Sequence, residues 1–436
     1  MGNIESLRQL FDGCPYPTNQ IEMSPRDDIN FLFLHSLTTA FYLRGDGYIQ
    51  PQGKLILDVG CGSGYAALAM AIANPGAKIV GIDLSEKSIE VARKRLQFYG
   101  FRDYEFYAMS VDDLPSLGMQ FDYINCDETL YLLPDPVQGL GIMASVLSPQ
   151  GIIRANLHSL HNRREFLRAQ NLSRFLGLMD GEIGDWECEV ISELMSALKD
   201  GVSLKNTWQG LKGDNEDIRM NFLLPSDKGY TTLDMSTMIE FNHLELISMV
   251  NWRQWVLEDL FQSADSLPEY LDLMLADSSP IQRLHLFELL HPIHRLLDFW
   301  CGHQNREQSP YSAINLSNTN TEAWQTYTFY LHPQLRTEKF KEVLEQAIAN
   351  SLPFPLTHFL SCTTSQPVNL FAPVTICVWL LWQQPYSITE IVKYWLTIKP
   401  LNPLTLEAVD QAQAFSEIQQ TLIQLESLVV VLVDCV

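Results

Sequence analysis

The sequence is short of three things, and each shortage excludes something. Basic residues are outnumbered: 29 Lys and Arg face 52 Asp and Glu, for a formal net charge of -23. A surface that acidic repels phosphate backbones and anionic bilayers, so neither nucleic acid nor a membrane is an expected partner. Cysteine is sparse and never closely paired, with single residues at 14, 61, 126, 188, 301, 362, 377 and 435. The lack of any Cys-x-x-Cys spacing excludes a zinc ribbon or a thioredoxin-type motif and suggests reduced, buried thiols in a cytoplasmic setting. Long apolar runs are missing too. The apolar tail at 428–433 is far too short for a bilayer and reads as a buried strand. The start, MGNIESLRQL, has no apolar signal core. Its match to the short myristoylation pattern at Gly2 and Ser6 is too common a feature to carry an anchor. No repeat of fixed period is found.

What is present suits a folded, multidomain chain: 436 residues, 46% of them hydrophobic, enough for two or three cores. Near the start, SPRDDINFLFLHSLTTAFYLRGDG reads as one helix. Ser24 is its cap, Pro25, Asp27 and Asp28 lie in its first turn, and Gly45 and Gly47 form its stop. Short apolar runs then alternate with helical patterns, the signature of a parallel α/β sheet. KLILDVG, AKIVGID, YEFYAMS, FDYINCD and GIIRANL read as strands. After residue 160 the alternation stops and the pattern becomes helical. The polar stretch 305–324 has linker composition. The expected organisation is a sheet domain over 1–160, an all-helical substrate or regulatory region over 161–304 and a C-terminal α+β unit over 325–436.

The strand LILDVG leads directly into CGSG, so that Gly60, Gly62 and Gly64 crowd the first strand-to-helix turn. Ligands of open parallel sheets bind there, outside the carboxyl ends of the strands. A dinucleotide fingerprint would be G-x-G-x-x-G, but that register puts Tyr65 at the third glycine. Asp58 would also repel a pyrophosphate, whereas a ligand carrying an ammonium and a sulfonium would be held by it. Asp83, at the end of the second strand, is placed to accept both hydroxyls of a ribose. That combination belongs to S-adenosyl-L-methionine, not to NAD.

The successive segments DVGCGSG, GIDLS, VDDLP, FDYINCDETLYLLPDP and LSPQGIIRANL resemble the ordered motifs of class I S-adenosylmethionine-dependent methyltransferases over residues 25–160. The resemblance implies a Rossmann-like α/β domain. It places Asp58 and the backbone of Gly60, Cys61, Gly62 and Gly64 beside the methionine portion, Asp83 on the ribose and Leu84 beside the adenine. Ser110, Val111 and Asp112 fall at the adenine edge. The family often has an acidic residue where Ser110 stands, so the contact to the exocyclic amine shifts to Asp112. Asn125 would lie next to the transferable methyl. CPYPTNQIE resembles the segment preceding the core in bacterial methyltransferases with an added regulatory region. The long helical continuation looks like such an appended regulatory domain, and the whole resembles uncharacterised cyanobacterial methyltransferases. The likeness implies that Tyr16 closes over the cofactor; packing under the first helix is the other reading.

The acceptor is less legible. Asn125-Cys126-Asp127-Glu128 has no prolines, unlike the Asn/Asp-Pro-Pro-Tyr/Phe segment of the enzymes that methylate nucleobase amines. Asp127 and Glu128 have the chemistry to bind a cationic acceptor or take its proton, or else to start a helix. Tyr131 would line an acceptor pocket or simply pack. His158 is the candidate titrating group beside the acceptor, and His161 reads as exposed. Arg163 and Arg164 would either grip a carboxylate or answer Glu165 on the surface. His285, His291 and His294 are interrupted by Pro292 and lack an acidic ligand in register, so no metal is expected. The C-terminal part has a winged-helix pattern, yet 351–436 holds two lysines, no arginine and six acidic residues, the wrong balance for a DNA reader. It would serve packing, a protein partner or a homodimer.

Three readings follow. They are a methyltransferase acting on O or N of a small molecule or peptide, a protein lysine methyltransferase, and a cofactor-binding regulator without turnover. An open acidic groove would favour lysine, and an enclosed aromatic pocket with Arg163 or Arg164 inside would favour a carboxylate. A closed site with no acceptor channel would favour the regulator.

Overall fold

A computed structural model describes residues 8, 16 and 19–435 except 182, 210, 212–213, 226, 264–266, 305–315, 317–320, 363, 365 and 403–404. The pattern at Gly2 and Ser6, Cys14 and most of the expected linker lie outside the described residues.

The first five strands form where the apolar runs predicted them: β1 (Leu55–Val59), β2 (Lys78–Asp83), β3 (Tyr104–Ala108), β4 (Phe121–Cys126) and β5 (Leu147–His158). They are joined by two more, β6 (Leu244–Met249) and β7 (Leu296–His303), in the order β3-β2-β1-β4-β5-β7-β6. β1 to β5 run parallel, while β7 is antiparallel to both β5 and β6. Residue 160 is therefore not the end of the sheet, and 161–304, though mostly helical, is not all-helical as expected. The physical reason is edge satisfaction. β5 ends the parallel set with unpaired backbone groups, and β7 covers them from Ile153–Cys301 through His158–Leu296.

The connection from β5 to β6 is a helical insertion. Helices Arg164–Phe175, Asp185–Ala197 and Asn215–Phe222 enclose a small core around Cys188, Ile191, Met195, Ile218 and Phe222. A larger core lies on each face of the sheet, as expected where helices cover both sides.

The N-terminal helix is broken into three pieces. Ser24 caps a single turn at Pro25–Asp27, Asp28 caps Ile29–Leu34, and Leu37–Leu43 begins after Ser36. Asn74 supports the break, its Oδ1 accepting from Leu37 N–H at 2.8 Å and its Nδ2 donating to the His35 carbonyl at 2.8 Å.

The C-terminal unit centres on strand Tyr327–Leu331, flanked by Tyr386–Ser387 and Val431–Cys435. Helices Ile388–Ile398 and Gln411–Ser427 separate the outer strands. The hairpin that would make a winged-helix wing is therefore not formed between them, and the tail at 428–433 is buried, with the last strand beginning only at Val431. This unit docks on the split helix: Ile29 and Phe33 share its core, and Tyr42 OH donates to Glu426 at 2.9 Å. Cysteines 61, 126, 188, 301, 362 and 377 are buried and free. Among the described residues no helix is long and apolar enough to cross a membrane.

Candidate functional site

β1 is buried along its length and delivers Asp58 and then the glycine turn to the carboxyl edge of the sheet. Gly60, Gly62 and Gly64 all have positive φ, at 72°, 49° and 79°, a region that L side chains seldom occupy. Two of them also face protein. A Cβ at Gly60 would lie 2.2 Å from Thr129 Oγ1, and one at Gly64 would lie 2.8 Å from Ala92 Cα. The bare backbone is thus required for closure of the turn as well as for access to it. Asp83 fastens the turn from the next strand, its Oδ2 accepting from Gly62 N–H at 2.9 Å and its Oδ1 from Ser85 N–H at 2.8 Å.

Beyond the turn is a cavity of about 480 Å³. Asp58, Gly60, Cys61, Gly62, Asp83 and Leu84 line it, and so do Ser110, Val111 and Asp112 across from them. Ser110 caps the short 3-10 helix Val111–Leu117, accepting from Asp112 N–H at 3.3 Å. Tyr16 and Asn19 complete the wall on the N-terminal side. All of these except Asn19 are residues that the motif reading selected. Gly64 is different: it starts helix Tyr65–Ala73 and is not part of the wall.

Asp58 tests whether this wall suits S-adenosyl-L-methionine. Its side chain is buried, and Asn125 Nδ2 donates to Oδ1 at 2.8 Å, while Oδ2 has no hydrogen-bond partner. Burial pushes its carboxyl up to about 7, against the Asn125 hydrogen bond, with Asp127 and Asp83 adding to the rise. An unpartnered buried carboxylate oxygen on a cavity wall fits an ammonium. Asp83 retains lone pairs for ribose hydroxyls, and Met109, Leu84 and Val111 provide apolar surface for a purine. The donor set fits the cofactor.

Asn125 requires a correction. It pairs with Asp58 across β1 and β4 and is fully buried, so it orients the Asp58 carboxylate and does not touch the cavity. Asn125 is the register partner of Asp58 and shares its face, but its amide is spent on Asp58 and stays buried beside it.

Asp127 and Glu128 both line the cavity. Asn156 Nδ2 donates to Asp127 Oδ1 at 2.5 Å, with Arg154 Nη2 3.7 Å away and His35 Nε2 4.0 Å away. Burial would raise the Asp127 carboxyl, but Arg154 and His35 outweigh it and hold Asp127 below its ordinary value. Glu128, at φ 52°, donates its N–H to Asn156 Oδ1 at 2.9 Å, accepts from Tyr131 OH at 2.6 Å and pairs with Arg295.

Tyr131 and His158 therefore stand behind Glu128 and not on the wall. His158 is buried, stacked on Tyr131 with ring centres 3.8 Å apart, and its Nδ1 lies 2.9 Å from Asp227 Oδ2. Burial lowers its pKa in spite of that carboxylate, so the neutral ring is favoured. Arg163 is not a surface charge: it is buried, with Nη2 3.5 Å from Asp227. Arg164 is exposed and lies 3.7 Å from Glu165. His294 stacks on Trp255, and His285 lies against Thr232 and Glu288.

The sequence reading missed Thr129, Met109, Asp135 and Gln138 on the wall. Asp135-Pro136 carried a helix-start signal, and Asp135 does cap helix Pro136–Ser145. No local signal marked Thr129.

The comparisons agree with this geometry. Residues 51–217 match a family model described as a methyltransferase domain. An uncharacterised protein of Synechococcus sp., syc1184_c, is 29% identical over 317 residues, 71% of this chain and 74% of that protein. The ubiquinone biosynthesis O-methyltransferase of Neisseria meningitidis serogroup C is 36% identical over 110 residues. That match spans 25% of this chain and 45% of the enzyme's length. Among solved structures, PKMT2 from Rickettsia typhi in complex with AdoHcy superposes with a TM-score of 0.59. At 16% identity, over 96% of this chain and 76% of that one, the likeness shows a shared fold. Glycine turn, acidic wall, strand order and domain match converge: residues 51–217 form a methyltransferase domain whose cofactor is S-adenosyl-L-methionine.

Proposed function

We propose that the chain transfers the methyl group to an amine nitrogen of a small molecule or peptide, the side-chain amine of a protein lysine belonging to the same acceptor class. One observation carries this reading. Six carboxylates line the cavity (Asp58, Asp83, Asp112, Asp127, Glu128 and Asp135), and among the described residues no Lys, Arg or His lines it. A carboxylate acceptor would need a cation there, and the candidates are elsewhere: Arg163 faces Asp227, and Arg164 is on the surface. A cationic amine is attracted by the wall as it stands.

The cofactor, when bound, supplies a methyl group already activated by its sulfonium. The protein's part is alignment and charge. Asp58 would hold the ammonium, Asp83 the ribose and Asp112 the adenine edge. That leaves Asp127 and Glu128 facing the acceptor. Asp127, held below its ordinary pKa, is a poor proton acceptor but a persistent anion. Its role is to draw the amine in and orient it. The amine must shed its proton before its lone pair attacks, and that proton goes to solvent, not to His158, which stands behind the wall.

The test is transfer of labelled methyl from S-adenosyl-L-methionine to panels of amines, phenols and carboxylates, with the parent and Asp127→Asn. Amines should be preferred. Loss of the charge should raise the amine KM by about 10-fold or more, the scale of one charged hydrogen bond. Preference for phenols or carboxylates, or an unchanged KM in the variant, would rule the amine reading out.

A further inference from the structure

Helix Glu86–Phe98 follows β2 and has no part in the motifs, yet it carries a fully buried arginine, Arg95, in its last turn. Arg95 directs its guanidinium at three backbone carbonyls. Nε donates to Ser63 O at 2.9 Å, Nη1 to Gln20 O at 2.9 Å and Nη2 to Asn19 O at 2.7 Å. Ser63 belongs to the glycine turn, and Asn19 lines the cavity from the other side. The same junction is sewn twice more: Ser63 N–H donates to Tyr16 O at 2.8 Å, and Tyr99 OH donates to Glu22 O at 2.5 Å. Tyr65, the first residue after the turn and also on the cavity wall, has its ring centre 5.7 Å from the guanidinium carbon.

A buried guanidinium is expensive to desolvate, and a surface helix has no need of one for packing. Its planar fork is what three fixed carbonyls at different bearings require, since an ammonium lacks that fixed spread of donors. Among the described residues, Tyr16 and Asn19 lie outside any strand or helix. Arg95 and Ser63 hold their backbone. Tyr16 lines the cavity while remaining 39% exposed, and burial of its hydroxyl raises its pKa, with Glu128 raising it further.

We propose that Arg95 is a positioning residue for cofactor binding, which locks Tyr16 and Asn19 to the glycine turn and so completes the N-terminal wall of the cavity. It touches neither cofactor nor acceptor and acts through the backbone of Ser63, Asn19 and Gln20.

The test is a double-mutant cycle on the full chain, with Arg95→Leu and Tyr16→Ala, reading the dissociation constant of S-adenosylhomocysteine by calorimetry. Each single variant should weaken binding by about 10-fold, and the double variant should be no weaker than the worse single, because both remove the same wall. The KM for S-adenosyl-L-methionine should rise by the same factor, with the acceptor KM unchanged. Arg95→Lys should show the same loss as Leu, since charge without the fork cannot serve three carbonyls. Should Arg95→Leu fail to fold, Tyr99→Phe removes only the outer stitch and should weaken binding in the same direction, by about twofold. Additive losses near 100-fold in the double variant, recovery by lysine, or parental affinity in Arg95→Leu or Tyr99→Phe would each overturn the proposal.

Discussion

The sharpest consequence of the site concerns Asp58. In the free protein its carboxyl is buried and stands at about 7 instead of the ordinary 3.8. At about 1.4 kcal/mol per pH unit, ionising it in place costs roughly 4 kcal/mol relative to an exposed aspartate, an upper bound for the strain a ligand can relieve. The sign is fixed by the direction of the shift. A carboxyl raised in the folded state binds its proton more tightly there than in the unfolded chain. Its contribution is therefore most favourable below pH 4 and is lost as pH rises toward and through 7. Ligand binding reverses the balance, because an ammonium opposite Oδ2 favours the anion. Three results follow. The dissociation constant of S-adenosylhomocysteine should weaken by about 10-fold between pH 7.5 and 6. At pH 6 nearly one proton should be released per ligand bound, measurable by calorimetry in two buffers of different ionisation enthalpy. In Asp58→Asn the pH dependence should flatten and affinity at pH 7.5 fall by about 10- to 100-fold. The ligand-free variant should nonetheless be more stable than the parent at pH 8. An affinity that is flat or improves toward acid in the parent protein, or proton uptake on binding, would refute the assignment of Asp58 to the ammonium.

Other substitutions separate the parts of the structure. Gly60→Ala must hold φ 72° and place its Cβ against Thr129. A stability loss of about 1–3 kcal/mol with cofactor affinity down by at least about 10-fold is expected, read by denaturant titration and calorimetry. Arg154→Met removes the partner of Asp298, which it contacts at 3.1 and 2.7 Å, and should cost about 3–5 kcal/mol at pH 8. Asp298 already stands at about 6 through burial, so it can take up a proton, and the loss should shrink at pH 5; a loss independent of pH would argue against it. Arg164→Gln, at an exposed site, should leave stability within about 0.5 kcal/mol and methyl transfer unchanged. A fall in turnover there would revive the carboxylate reading.

Legibility followed distance along the chain. The glycine turn, Asp83 and the 110–112 edge were readable because each is a local requirement: a tight turn after a buried strand, an acid at the next strand's end, a capped 3-10 turn. Asn125 misled because a motif position does not say that its amide will be taken up by Asp58, its partner on the neighbouring strand. His158 looked catalytic because it ends a strand at the carboxyl edge, yet Tyr131 and Asp227 enclose it. The split of the first helix depended on Asn74, some 40 residues later, and could not be read from the good helix pattern around it.

By itself the amino-acid sequence determined the parallel sheet through β5, the cofactor and much of the cavity wall, since apolar runs, turn glycines and acidic strand ends act over a few residues. Tertiary structure alone decided the rest. It brought β7 from residue 296 onto β5, set Arg295 on Glu128 and Arg154 on Asp127, and placed Arg95 under the N-terminal wall. Each of these joins groups far apart in sequence, whose pairing is worth its desolvation only once the fold has buried them together. That is why the charge of the cavity wall is a property of the folded molecule and not of any motif.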